Sequence, residues 1–301
     1  MKVKNPFSLY DFLGYIIPGA LALFIIFSIC KVDEQSGTTL PFDYINQFMA
    51  FLRDKTKIDL SKVVVPFVIV SYVLGHLFSY LSSVTVEYVT NRTFYYPSQY
   101  LLNAEKDDKS YGKRYWEDDS SGYKKTKRLC LIALFILLFP ITIMMFLIPN
   151  FSEMLNRFIS RPLPSYLINN IIKKIKDLTK EINISDIEEK DIESSELHRV
   201  VMHYVYLNEQ GCRIKADNYI ALYGFLRSTS LILILFTDWT FFVGVKSIVV
   251  NWGGQVCLAS IIMFISLWLV SCVSFLGFVK FYRRFTLENL MTLMTCKWHK
   301  A

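Results

Sequence analysis

The chain has 301 residues, of which 53% are hydrophobic, 16% aromatic and only 20% charged. Its mean hydropathy of +0.33 is too high for a soluble globular domain and fits membrane spans joined by polar loops. The net charge of +7 gathers beside the apolar runs, a pattern that points to anionic lipid and away from nucleic acid.

The first apolar run is Tyr10–Cys30, after a short amphipathic lead, MKVKNPFSL. No short h-region with an A-x-A cleavage site is present, so the run is expected to stay as a span. Asp11 opens it. Within GYIIPG, Pro18 removes a backbone donor and Gly19 allows close approach, which predicts a kink. The loop 31–62 is polar, and Asp43–Arg53 is expected to lie as a short helix on the membrane surface.

The second run, Val63–Val84, carries His76, Ser79 and Ser83 at i, i+3 and i+7, with Tyr72 one turn earlier. Such a polar stripe must face protein or water rather than lipid. It is read either as helix–helix hydrogen bonding or as a water-lined path with His76 titrating. Gly75, Ser79 and Ser83 also give small-xxx-small spacing, which suits close packing.

RTFYYPSQYLL has an interfacial, aromatic character, and a charge-dense loop follows it. That loop ends in Lys124, Lys125, Lys127 and Arg128, expected as interface anchors. The third run, Leu129–Pro149, contains Pro140, which predicts a second kink. The run either crosses or dips and turns back at Pro140.

Residues 150–217 read as a small helical domain. Ile168, Ile171, Ile172, Ile175, Leu178 and Ile182 recur at helical spacing. Ser185–Glu188 matches a capping box, and Ser194 or Ser195 is expected to cap the next helix. His198 and His203 are five residues apart, the wrong spacing to grip a metal from one helical face, and are expected on a helix surface.

The fourth run, about Tyr219–Thr237, raises the sharpest question. Arg227 and Asp238 lie eleven residues apart on nearly one face, with roughly 16 Å of rise between them. That is too far for direct pairing. They either snorkel to the two interfaces or meet polar groups of other spans. The fifth run is Val256–Val279. Lys280, Arg283 and Arg284 follow as interface anchors, and residues 281–301 form an amphipathic tail.

No Walker A loop, G-x-G-x-x-G, H-E-x-x-H or G-x-S-x-G is present, so no enzyme is expected, and no catalytic residue, metal or cofactor. The six cysteines form no C-x-x-C pair and read as small apolar fillers.

Counting Lys and Arg gives two arrangements. If all five runs cross with the N-terminus outside, 20 basic residues fall in the cytoplasm and 12 outside. If Leu129–Pro149 turns back and the N-terminus is inside, the split is 26 to 6, which the positive-inside rule prefers. A 21-residue uncharged run normally crosses, so the two arguments conflict. Both place 150–217 and the C-terminus in the cytoplasm.

NYIALYGFLRS (Asn218–Ser228) and KFYRRFTLE (Lys280–Glu288), with YVLGHLFSYLSS and DFLGYIIPG, resemble a group of uncharacterised bacterial multi-pass inner-membrane proteins. The resemblance implies an inner-membrane location, places Arg227 and the basic tail at one interface, and extends to phage defence.

The fold class expected is all-α: a polytopic membrane protein with four or five transmembrane helices and a small helical cytoplasmic domain. Its divisions are 1–149, 150–217, a membrane hairpin 218–280 and the tail 281–301. The function expected is a homo-oligomeric effector or channel-like protein that alters permeability when its cytoplasmic region senses a small ligand or protein partner. The alternative is a non-conducting anchor or scaffold that recruits soluble partners.

Overall fold

A computed structural model describes residues 11–32, 60–102, 115, 124–147, 163–184, 192, 194–250 and 254–295. Among these, all regular structure is helical and no strand occurs. The expected surface helix Asp43–Arg53, the capping box Ser185–Glu188 and the side chains of Lys124, Lys125 and Lys127 lie outside the described residues.

The elements follow the apolar runs in chain order. A π-turn, Phe12–Ile16, leads into α1 (Ile17–Val32). The Ile17 N–H bonds the Phe12 carbonyl across this wide turn, just before Pro18, whose missing N–H would break a regular ladder. Helix α2 (Leu60–Ser82) runs through a second π-turn, Ser83–Glu87, into α3 (Tyr88–Phe94) and then α4 (Pro97–Leu102). Helices α5 (Lys124–Leu137) and α6 (Phe139–Leu147) are separated at Leu138. The remaining helices are α7 (Ser165–Glu181), α8 (Ser195–Asn208), α9 (Gln210–Val250) and α10 (Gly254–Thr295).

Three helical stretches are long and apolar enough to cross a membrane: Val64–Leu102, Arg213–Lys246 and Ile261–Thr295. Phe12–Phe27 and Arg128–Leu137 are apolar but shorter. At 41 and 42 residues, α9 and α10 measure about 60 Å, twice a hydrocarbon core of about 30 Å.

The chain divides into two compact units. Unit 1 comprises Met1–Val84, Phe135–Thr142 and Gly224–Phe275; unit 2 comprises Thr85–Leu134, Ile143–Tyr223 and Leu276–Ala301. In unit 1, α1 and α2 cross with almost no side chain between them. A Cβ on Gly19 would strike the Ser71 carbonyl, and one on Gly75 would strike the Tyr15 backbone. Glycine is required here for approach, as small-xxx-small spacing implies. The opposite side of α2 exposes Val65, Phe67, Ile69, Val73 and Leu77, an apolar face larger than a water-exposed protein tolerates and suited to lipid tails.

Unit 2 has its own core. Leu101 and Leu102 of α4 pack with Ile171, Ile175 and Leu178 of α7, Val201 and Val205 of α8, and Leu290 and Leu293 of α10. The isoleucine stripe of α7 is buried at Ile168, Ile171 and Ile175, whereas Ile182 lies just past the helix end and is exposed. Ser194 caps α8, its hydroxyl accepting from the Leu197 N–H at 3.2 Å.

Candidate functional site

The polar groups of unit 1 form two separate sets. The first centres on Arg227 of α9. Its guanidinium donates to the Ser79 carbonyl at 3.2 Å, to the Ser79 hydroxyl at 3.5 Å and, through Nε, to the Ser82 hydroxyl at 3.2 Å. The Ser82 and Ser228 hydroxyls meet at 3.4 Å, and both residues are fully buried. Ser82 also donates to the Ser79 carbonyl at 2.9 Å. An arginine in an apolar layer is tolerated when its donors find carbonyl and hydroxyl oxygens.

The second set centres on His76. Its ring stacks on Tyr15 with centroids 3.7 Å apart and meets Tyr72 edge-on at 4.5 Å. His76 remains exposed on the outside of α2. Of the stripe read from sequence, Ser79 therefore joins Arg227, His76 joins two tyrosines, and Ser83 opens the π-turn after α2. Ser82, absent from that stripe, is the serine that Arg227 binds through Nε.

The other candidates stand apart. Asp238 lies eleven residues beyond Arg227 on α9, and its Oδ1 is buried with no hydrogen-bond partner. Asp11 is half-buried at the start of the π-turn before α1. Pro18 and Gly19 are buried where α1 meets α2.

Pro140 is the second residue of α6, just after the break. The carbonyl of Pro140 accepts from the Trp268 indole N–H at 2.7 Å. The Thr142 hydroxyl lies within 3.2 Å of the Phe135, Leu138 and Phe139 carbonyls.

Unit 2 separates the basic anchors. Arg128, Lys280 and Arg284 are exposed. Arg283 is only 2% exposed. Its guanidinium lies 3.4 Å from the centre of the Tyr100 ring and donates to the Phe94 carbonyl at 3.2 Å. The next residue, Tyr95, sits at φ 64° and ψ 156°, a region that costs a side chain about 1–3 kcal/mol. Arg283 on one side and the Tyr96 N–H bond to the Gln99 side chain on the other hold this turn.

His198 is not on a helix surface. It is 4% exposed, between Tyr96 and Phe285, with neither ring nitrogen hydrogen-bonded, and burial pushes its pKa down to about 4. Tyr115 is also fully buried. It donates to the Leu131 carbonyl at 2.6 Å, its own carbonyl accepts from Arg92 Nε at 2.7 Å, and burial pushes its hydroxyl up to about 12. Among the described residues, no three His, Cys, Asp or Glu side chains gather as metal ligands.

These features define a class: among the described residues, an all-helical protein with three helices long and apolar enough to cross a membrane. No family model, no curated protein and no solved structure matches it.

Proposed function

We propose that the protein is an integral inner-membrane protein acting as a non-conducting anchor, with its termini and residues 150–217 on the cytoplasmic side for a soluble partner to meet. The observation that carries this reading is the separation of the polar groups in unit 1. Arg227 is engaged by Ser79 and Ser82 while His76 is engaged by Tyr15 and Tyr72, so the two do not line one path. Each set acts as interhelical glue, the ordinary role of polar groups between membrane helices. The sidedness is supported by the 26-to-6 split of basic residues.

The test is a membrane-potential dye in cells expressing the wild type, His76→Leu or Arg227→Leu at matched membrane levels. A flat signal from all three is expected. Depolarisation by the wild type that both variants lose would overturn the anchor reading.

A second reading, an oligomeric permeability effector, is favoured by two groups that this packing does not absorb. His76 is exposed on α2, and Asp238 Oδ1 has no hydrogen-bond partner. A second copy of the chain would meet both. Chemical cross-linking in membranes, run beside the dye assay, separates the readings: the effector needs both oligomers and depolarisation.

A further inference from the structure

The apolar run Leu129–Pro149 has two possible paths, and the core of unit 2 distinguishes them. That core joins Leu101 of α4, which precedes the run, to Ile171 and Ile175 of α7 and Val201 of α8, which follow it. Between residues 102 and 163 the sequence contains no other apolar run of comparable length. A helix that crosses about 30 Å of hydrocarbon leaves its two flanks on opposite faces. One continuous core of packed side chains cannot straddle that layer, so both flanks lie on one face.

The local geometry agrees. In a straight helix, groups seven residues apart are separated by about 10 Å. The Thr142 hydroxyl nevertheless reaches the Phe135 carbonyl at 3.1 Å, so the chain bends sharply between them. The break falls at Leu138, two residues before Pro140, which has no N–H to continue the ladder. The division into units follows the bend: Phe135–Thr142 belongs with unit 1, and the residues on either side belong with unit 2. Arg128–Leu137, the apolar limb, is ten residues or about 15 Å long, half of what a crossing needs.

The geometry points to a re-entrant hairpin: Lys124–Leu147 enters and leaves the membrane by one and the same face, with Pro140 at its tip, and the chain crosses the membrane four times. This inference rests on the membrane reading of unit 1 given above. Irregular backbone survives at membrane depth only when its polar groups are satisfied by protein. The tip meets that condition through the Thr142 hydroxyl and the Trp268 bond to the Pro140 carbonyl. Phe139 packs against Phe241 and Phe264, at 5.3 and 6.5 Å between ring centroids, and the three rings cluster at the tip. The first limb is held in unit 2 by the Tyr115 bond to the Leu131 carbonyl.

The experiment is single-cysteine labelling of the full-length chain. The six native cysteines are replaced, and Ser36→Cys, Ser110→Cys or Ser160→Cys is introduced. Spheroplasts are treated with a membrane-impermeant maleimide. The hairpin requires positions 110 and 160 to behave alike, protected until lysis, while position 36 is labelled in intact cells. Labelling of 110 and 160 from opposite faces overturns the hairpin and leaves the membrane reading standing. Protection of all three, with the protein extracted by carbonate, overturns the membrane reading itself. Trypsin digestion of inside-out vesicles carrying the unmodified protein gives an independent check. Cleavage both within 103–128 and within 150–161 is expected, and cleavage on one side only counts against the hairpin.

Discussion

Gly75→Ala adds one methyl group to α2, and the packing of unit 1 fixes what that methyl meets. Its Cβ would overlap the Tyr15 carbonyl oxygen and stand 2.5 Å from the carbonyl carbon and 2.7 Å from the Cα. Ordinary contact begins at 3.4 Å, and all three atoms are backbone, so no side chain can rotate aside. The helices must separate by roughly 1 Å, a gap that forfeits a quarter to a half of each dispersion contact. Between membrane helices, where lipid removes most of the hydrophobic drive, those contacts are the main attraction. Overpacking of this kind costs about 1–3 kcal/mol, and the helix preference of Ala over Gly returns at most about 1 kcal/mol. A net loss of about 1–2 kcal/mol is therefore expected for Gly75→Ala. Gly19→Ala should cost a similar amount, because its Cβ stands 2.6 Å from the Ser71 carbonyl carbon. One separation relieves both clashes, so the double variant should cost clearly less than the two singles together. Reversible unfolding in mixed detergent micelles measures all four corners of this cycle. Wild-type stability in Gly75→Ala, or strict additivity in the double variant, would refute the close-crossing argument.

The buried imidazole predicts an acid sensitivity. The folded pKa of His198, about 4, lies below its unfolded value of 6.5, so between those values the unfolded chain takes up a proton that the native state refuses. Stability is complete above pH 6.5 and falls as the pH drops through this window, by up to about 3 kcal/mol. His198→Phe, which keeps an aromatic ring between Tyr96 and Phe285, should flatten that slope; equal slopes in melts from pH 7.5 to 4.5 would rule the residue out. Arg283→Lys keeps the charge and loses the plane that lies over Tyr100, so a loss of about 1–2 kcal/mol in thermal melting is expected, and full retention would contradict the stacking role. Trp268→Phe leaves the Pro140 carbonyl without its indole donor, at a cost of about 1–2 kcal/mol; an unchanged denaturation midpoint would show that the tip does not depend on it.

Some of this was legible in the sequence because periodicity carries it. Ile168, Ile171 and Ile175 of α7 are buried where their spacing places them, and Pro140 lies just past the break between α5 and α6. Other features follow helical phase rather than residue type. Polarity drew attention to His76, Ser79 and Ser83, but the packed face of α2 runs through Ser71, Gly75 and Ser82, which are its buried small residues. Arg283 and Arg284 look alike as a basic pair. Yet Arg283 continues the buried series Phe275, Val279, Thr286 and Leu290 on α10, whereas Arg284 is rotated about 100° out of it. His198 likewise shares the phase of Val201 and Val205. The strained turn at Tyr95 had no signal at all, since no glycine marks it.

The two arginines also constrain what kind of protein this is. Arg227 in unit 1 donates to the carbonyl of Ser79, and Arg283 in unit 2 donates to the carbonyl of Phe94. Each joins helices that are distant in sequence: α9 to α2 in unit 1, and α10 to the end of α3 in unit 2. Such links are permanent and cost most when broken, which suits a scaffold better than a gate. A gating role would have to fall on the other polar groups of unit 1: His76, which is exposed, and Asp238, whose Oδ1 has no hydrogen-bond partner. The dye assay therefore bears on the arginines as well. If Arg227→Leu only lowers stability and His76→Leu changes nothing, the polar residues of the spans are fastenings, and function lies on unit 2.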